Sequence, residues 1–119
     1  MNDADLEQRF HQRVLDAYCE AVRKCDMREA RFLDMVAEYG GVRAVKRVLS
    51  NNQFHYRVTA LVQCGHAEYS MEHLVLLPEF SELFTDQERL AARTRLNGGP
   101  GSGYQAPAER KLTKSQKRP

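Results

Sequence analysis

Apolar residues recur every three or four positions through most of this chain, which is the period of an amphipathic α-helix. The first such run predicts a helix over residues 3–25, with the apolar positions confined to one stripe about 160° wide. These positions are Leu6, Phe10, Val14, Ala17, Tyr18, Ala21, Val22 and Cys25. A stripe this wide can serve both a core and another protein. We therefore expect a face for a protein partner at Leu6, Phe10, Val14 and Tyr18.

Capping and turn residues divide the rest of the chain into shorter helices. Gly40 and Gly65 stand where a left-handed residue ends a helix at little steric cost. Ser70 is a candidate N-cap, and Thr85 with Glu88 has the spacing of a capping box. These signals predict helices over 28–39, 42–50, 53–64, 71–77, 78–84 and 86–96.

Two runs rich in β-branched residues, 42–48 and 58–62, have the composition of short strands. Neither run alternates with period two, and no Asn-Gly or Asp-Gly turn joins them. We therefore predict an all-α fold, a compact bundle of about six to seven helices with a long amphipathic N-terminal helix. Residues 1–97 form its single domain, with the long helix over 3–25 and a helical module over 28–96.

The net charge of +2 over 119 residues conceals two parts of opposite sign. Residues 98–119 hold five bases, one acid, four of the seven glycines and three of the four prolines, whereas residues 1–97 hold 13 bases and 15 acids. The C-terminal segment has too few apolar residues to offset its ordering entropy, so we expect a disordered basic tail. Its bases are Arg110, Lys111, Lys114, Lys117 and Arg118.

The longest apolar run, from Leu74 to Leu77, is far shorter than the ~20 residues that span a bilayer. The acidic start is unlike a signal peptide. Cys19, Cys25 and Cys64 are odd in number and lack CxxC spacing, and the chain has enough apolar residues for a core without cross-links. We therefore expect reduced cysteines, with Cys64 in the core, and a cytoplasmic protein that does not contact membranes.

Cys64 and His66, with His55 and His73 nearby, are the only cluster with metal-ligand chemistry. Zinc needs four ligands at recognisable spacing, and the remaining ones are not evident. An enzyme built on Cys64 and His66 lacks an identifiable base, orienting group and oxyanion site. We therefore predict no catalytic residue, no metal and no cofactor.

Arg43, Lys46 and Arg47 share one side of the predicted third helix and form a compact basic face. Such a face, together with the tail bases, can contact phosphates or an acidic partner. Other arginines lie near it if the second to fourth helices pack together: Arg28, Arg31 and Arg57. The slightly negative folded region lacks a general positive field and a recognition-helix pattern, so this nucleic-acid binding is expected to be weak and salt-sensitive.

A combination of positions between residues 32 and 96 resembles a known family. The matching residues are Phe32-Leu33-Asp34-Met35, Gly40-Gly41, Val45 to Leu49, Leu61, Gly65, Met71-Glu72-His73-Leu74-Val75-Leu76, Phe80, Leu83-Phe84-Thr85, Glu88, Ala92-Arg93 and Arg95-Leu96. Together they resemble a compact helical module of bacterial proteins of uncertain function. That module recurs alone, or beside nuclease-type domains in mobile-element and phage-defence settings.

This chain departs from the module at two places. Asn52-Gln53-Phe54 replaces a Gly-Phe pair before the fourth helix, and Asn97-Gly98-Gly99 replaces a Tyr-Gly ending. The main hypothesis is a small non-enzymatic helical interaction protein, an adaptor or inhibitor docking on a larger protein, in the setting that the resemblance implies. The alternative is a nucleic-acid-binding accessory protein that uses the basic face and the tail.

Overall fold

The computed structural model describes residues 3–51 and 53–97, and within them every regular element is a helix. The all-α prediction is therefore confirmed. The predicted basic tail, 98–119, lies outside the described residues. The α-helices are α1 Asp3–Cys25, α2 Ala30–Tyr39, α3 Gly41–Asn51, α4 His55–Cys64, α5 Met71–Leu76 and α6 Asp86–Leu96, and the 3-10 helices are Ala67–Tyr69 and Pro78–Leu83. No helix in these two ranges is both long enough and apolar enough to cross a membrane.

The apolar stripe of α1 lies against the rest of the fold, since α1 packs on α3, α4, α5 and both 3-10 helices. Phe10 is completely buried, and its ring meets the rings of Phe80 and Phe84 edge to face, with 5.1 Å between centroids in each pair. Such contacts add specificity of packing to the large apolar area that each ring buries.

The predicted partner face on α1 is wrong. Leu6, Phe10, Val14 and Tyr18 are all buried in the core of this chain. A wide apolar stripe has the same sequence pattern whether its cover comes from a partner or from the same chain. Here the covering elements are the other helices of the protein, so these four residues offer no exposed face to a partner.

Local signals place most helix ends correctly. Gly40 has a φ of 86° and its N–H bonds the carbonyl of Val36 at the end of α2, and Gly65 closes α4 in the left-handed conformation. Ser70 accepts a hydrogen bond from the N–H of His73 at 3.1 Å. The capping box of α6 is present. The 3-10 helix Ala67–Tyr69 was not predicted, because a single turn has no apolar period to detect.

Helix α4 begins at His55, two residues later than predicted, because Phe54 adopts a left-handed conformation with a φ of 55°. Such a conformation costs an L-residue roughly 1–2 kcal/mol. Burial of the ring offsets the cost, since Phe54 is buried and its ring packs edge to face on Phe32. Helix α2 also begins two residues later than predicted, at Ala30.

A buried ion pair connects α5, α6 and the segment before α4. The Nε of Arg95 donates to the carboxylate of Glu72 at 2.6 Å, and its Nη2 donates to the carbonyl of Gln53 at 2.5 Å. Both charged side chains are almost fully buried. Removing one member of such a pair leaves an uncompensated charge in the interior, which is strongly destabilising.

A disulfide between Cys25 and Cys64 joins the C-terminal ends of α1 and α4. The expectation of reduced cysteines without a cross-link is therefore wrong, as is the core position expected for Cys64, which is exposed. The error arises because the two residues are 39 positions apart and meet only when the two helices pack. Disulfides persist in oxidising compartments, so the cysteines give no support to the cytoplasmic prediction.

Helix α3 touches α1 at Gly41, whose backbone N–H donates to Nδ1 of His11 at 2.9 Å. A Cβ at this position would lie only 2.7 Å from Cα of His11. Gly41→Ala is therefore expected to lower the free energy of unfolding by about 1–3 kcal/mol, the usual cost of overpacking. At an unhindered helical site the same change stabilises by roughly 0.5–1 kcal/mol. The sign of the change in unfolding free energy therefore shows whether Gly41 lies close to His11.

Urea unfolding followed by circular dichroism measures this difference. Ser50→Ala, at an exposed position of the same helix, is the control and should be nearly neutral. A Gly41→Ala protein more stable than the wild type would contradict the close approach of α3 to α1.

Reduction of the disulfide, or the double change Cys25→Ser with Cys64→Ser, is expected to cost about 3–4 kcal/mol of unfolding free energy. This is the loop-closure value for a cross-link between residues about 40 positions apart. Thermal unfolding with and without reductant measures the loss, and Cys19→Ser is the control because Cys19 is a free, exposed thiol. Alkylation of all three cysteines in the native, unreduced protein would contradict the pairing.

Candidate functional site

The predicted basic face on α3 is smaller in the fold than in the sequence. Lys46 Nζ lies 2.7 Å from Oε1 of Glu88 on α6, and both side chains are mostly covered. The guanidinium of Arg47 lies over the ring of Tyr39, 4.5 Å from its centroid, and remains exposed like Arg43. The structure thus brings the three residues together, but only Arg43 and Arg47 present unneutralised charge to solvent.

The other arginines do not extend this face. Arg57 is buried, Arg28 pairs with Asp26, and Arg31 lies 3.5 Å from the carboxylate of Glu29. The remaining bases that were predicted to contact phosphates lie outside the described residues: Arg110, Lys111, Lys114, Lys117 and Arg118. The described part of the chain therefore has no broad basic surface on α3.

A groove of about 220 Å³ lies between α1 and the chain from the first 3-10 helix to α5. We call it the acidic groove, because Asp16 and Glu20 of α1 and Glu68 of the 3-10 helix line it. Its other polar lining residues are Arg13, Tyr69 and His73. Helix periodicity places Asp16 and Glu20 on one side of α1, but only the packing of the 3-10 helix brings Glu68 opposite them.

The charge balance of the acidic groove is negative. Its guanidinium, Arg13, is already bound to the carboxylate of Glu79 at 3.2 Å. Burial lowers the pKa of His73, which Arg13 lowers further and Glu68 opposes, so the imidazole is neutral at neutral pH. Glu20 already accepts from the guanidinium of Arg23 at 3.0 Å, so Asp16 and Glu68 are the lining carboxylates without a lysine or arginine partner in the described residues. Their charge favours a positively charged group.

Glu68 itself is held in its ionised form. Burial raises its pKa, but the hydrogen bond with His66, its backbone N–H and the nearby histidines outweigh this effect, and the net pKa is lowered. The contact is 3.0 Å from His66 Nδ1 to Glu68 Oε2, and the His66 ring stacks on Tyr69 with 5.2 Å between centroids. This contact orients the carboxylate at one end of the groove.

The Cys64 and His66 cluster has no free thiol in this fold, because Cys64 is bonded to Cys25. Within residues 3–51 and 53–97, no group of three or more His, Cys, Asp or Glu side chains is placed to hold a metal ion. No family model, curated protein or solved structure matches this chain at a significant level. The resemblance to a helical module therefore stays a prediction.

Arg57 is the feature that sequence reasoning placed wrongly. Its guanidinium carbon lies 5.3 Å from the ring centre of Tyr18 and 5.6 Å from that of Phe32, and burial lowers its pKa. Its Nη1 is buried without a hydrogen-bond partner among the described residues. A signal was available, since Arg57 lies three positions after Phe54 and four before Leu61 on the apolar side of α4.

Glu88→Gln is expected to lower the free energy of unfolding by about 1 kcal/mol at pH 7, because it removes the charge that pairs with Lys46. Glutamine still suits the capping box, so the change isolates the ion pair. Burial raises the pKa of Glu88, but hydrogen bonds from Lys46 and Thr85 outweigh it, so the net pKa is lowered. This stabilisation is present above the unfolded pKa of about 4.3 and is lost as pH falls through the folded value.

The difference between wild type and Glu88→Gln should therefore shrink below about pH 4. Urea unfolding at pH 7, 5 and 3.5 measures it, with Glu82→Gln, at an exposed position, as the control. If the difference in unfolding free energy between the two proteins were as large at pH 3.5 as at pH 7, loss of the ion pair would not be its source.

Proposed function

We propose that this chain is a small non-enzymatic helical interaction protein, an adaptor or inhibitor that docks on a larger protein through the acidic groove. The observation that carries the proposal is the open volume of about 220 Å³ lined by the carboxylates of Asp16, Glu20 and Glu68. Its occupant is a lysine or arginine side chain of the partner, because the one guanidinium within the groove is already paired.

The acidic groove has rigid walls, which favours binding as a preformed surface rather than folding that is coupled to binding. One wall of the groove is a 23-residue helix whose other side is buried in the core, and the disulfide anchors its C-terminal end to α4. Charged groups on rigid elements lose little conformational entropy when a partner binds. Complementary charge then increases the association rate and the specificity of the complex.

The bacterial mobile-element or phage-defence setting is part of the proposal and rests on the resemblance of residues 32–96 alone. An inhibitor in such a setting needs a stable surface and no chemistry of its own. The acidic groove is such a surface, because phosphates are repelled by its carboxylates while basic side chains of a protein are attracted.

Nucleic-acid binding is the second candidate, and the exposure of Arg43 and Arg47 on α3 is the observation that favours it. Lys46 contributes less, because Glu88 neutralises it. With so few phosphates neutralised, affinity would be weak and its salt dependence shallow unless the tail bases take part.

The two functions are separated by affinity capture from host extract with and without nuclease, read by mass spectrometry. One bait carries Asp16→Asn with Glu20→Gln, and its matched control carries Arg43→Gln with Arg47→Gln. We expect a protein partner that persists after nuclease, is lost with the acidic-groove variant and is retained by the arginine variant. The captured protein, once purified, should bind at least tenfold more weakly to the groove variant.

The opposite pattern supports the second candidate. Partners that vanish after nuclease, and that depend on Arg43 and Arg47 but not on Asp16 and Glu20, would replace docking by nucleic-acid binding. Capture that survives nuclease equally in all three proteins would show that the docking surface is elsewhere.

A further inference from the structure

The acidic groove has a candidate occupant within the same chain. Residues 110–118, which we call the basic segment, lie beyond the described residues and hold five bases and no acid. Asp16 and Glu68, on the two walls of the groove, have no lysine or arginine partner among the described residues. The segment and the groove therefore carry opposite charges, which attract one another.

The C-terminal end of α6 lies near one wall of the groove. Arg95, in the last turn of α6, donates to the carboxylate of Glu72 at 2.6 Å. The residue after Glu72 is His73, which lines the groove. The chain therefore leaves α6 one ion pair away from the α5 wall of the groove.

The sequence between α6 and the basic segment is long enough to reach the groove. Twelve residues, 98–109, separate Asn97 from Arg110. An extended chain spans at most ~3.3–3.6 Å per residue, so this stretch reaches up to about 40 Å. The longest described helix, α1, has 23 residues and measures roughly 35 Å. The linking sequence thus exceeds the length of the helix that forms the opposite wall.

The lining of the groove suits a lysine or arginine side chain. Ala17, Tyr69 and Leu74 line it together with the carboxylates, and its volume is about 220 Å³. Lysine and arginine bury their aliphatic stems along apolar surface while the charged end stays in water. A base of the segment can therefore place its stem on these three residues and its charge beside Asp16 or Glu68.

A contact within one chain needs little intrinsic affinity. A short linker gives its two ends an effective concentration on the order of millimolar. A segment that binds the groove with a Kd of about 1 mM then occupies it about half of the time, although the same peptide added at micromolar concentration would be almost entirely free. Five bases in one segment also offer several alternative ways to fill the groove.

We propose that the basic segment, residues 110–118, occupies the acidic groove of its own chain and competes with the protein partner for Asp16 and Glu68. This inference rests on the proposed docking function, because it concerns regulation of the same site. A partner must displace the segment before it docks. At half occupancy the segment doubles the apparent Kd of the partner, which favours partners with further contacts outside the groove.

Paramagnetic relaxation in the full chain tests the contact. A nitroxide on Cys19, the free exposed thiol three residues after Asp16, should broaden the amide signals of residues 110–118 relative to the same protein with its nitroxide reduced. Asp16→Asn with Glu68→Gln should lower this broadening at least twofold. The matched control, Asp34→Asn with Glu82→Gln, removes the same charges at exposed positions elsewhere and should keep it. Salt at about 1 M should also weaken it, because the Debye length falls to about 3 Å.

A mixed sample separates the segment of the same chain from that of a second copy. Spin-labelled protein without isotope is mixed with isotope-labelled protein without a spin label, and residues 110–118 should then show no broadening. Broadening in the mixture would assign the contact to a second copy and overturn the proposal. Equal broadening in wild type and in Asp16→Asn with Glu68→Gln would overturn it as well.

The competition is measured with the purified partner. Lys111→Gln with Lys114→Gln and Lys117→Gln should bind it about twofold more tightly than wild type, and an unchanged or weaker affinity would overturn the competition. The relaxation measurement needs no partner, so the two proposals fail differently. A partner that binds equally to wild type and to the groove variant would refute docking through the groove, while the broadening would still decide whether the basic segment lies there.

Discussion

Burial of the apolar stripe of α1 is the interaction on which the rest of this structure depends. The helix is 23 residues long and packs on α3, α4, α5 and both 3-10 helices. Because Phe10 inserts between Phe80 and Phe84, the stripe is enclosed by elements from the far end of the chain. Other features then follow from its position, since the same helix supplies Cys25 to the disulfide, Tyr18 to the wall beside Arg57, and Asp16 with Glu20 to the acidic groove.

Some charged side chains of this fold are paired within the chain, and others remain available for binding. Glu72 with Arg95 and Lys46 with Glu88 are cations and carboxylates already matched within the chain, so their charges are not available to a partner. Arg57 is the exception, because it is buried without a hydrogen-bonded carboxylate. Asp16 and Glu68 differ in another way, since they lie at an open surface where a positive group from outside can reach them.

The two candidate functions depend on side chains of opposite charge. Docking through the acidic groove uses carboxylates held on rigid walls, and nucleic-acid binding uses the exposed guanidinium groups of Arg43 and Arg47. Internal pairing weakens the basic face by one residue, Lys46. The groove loses its one guanidinium to Glu79 and so becomes more negative. This asymmetry supports the proposed docking on a protein partner with a basic side chain.

The sequence by itself determined the elements of this protein, because the interactions that begin and end them are local. The bounds of α1, the N-cap at Ser70 and the capping box at Thr85 each depend on residues within a few positions of one another. The all-α class follows from the apolar period for the same reason.

Only the tertiary structure decided which faces are free. A stripe such as Leu6 to Tyr18 has the same pattern whether this chain or a partner covers it. The left-handed Phe54, the pairing of Cys25 with Cys64 and the burial of Arg57 against Phe32 arise from contacts between helices far apart in sequence. The acidic groove exists for the same reason, because Glu68 reaches Asp16 and Glu20 only through packing.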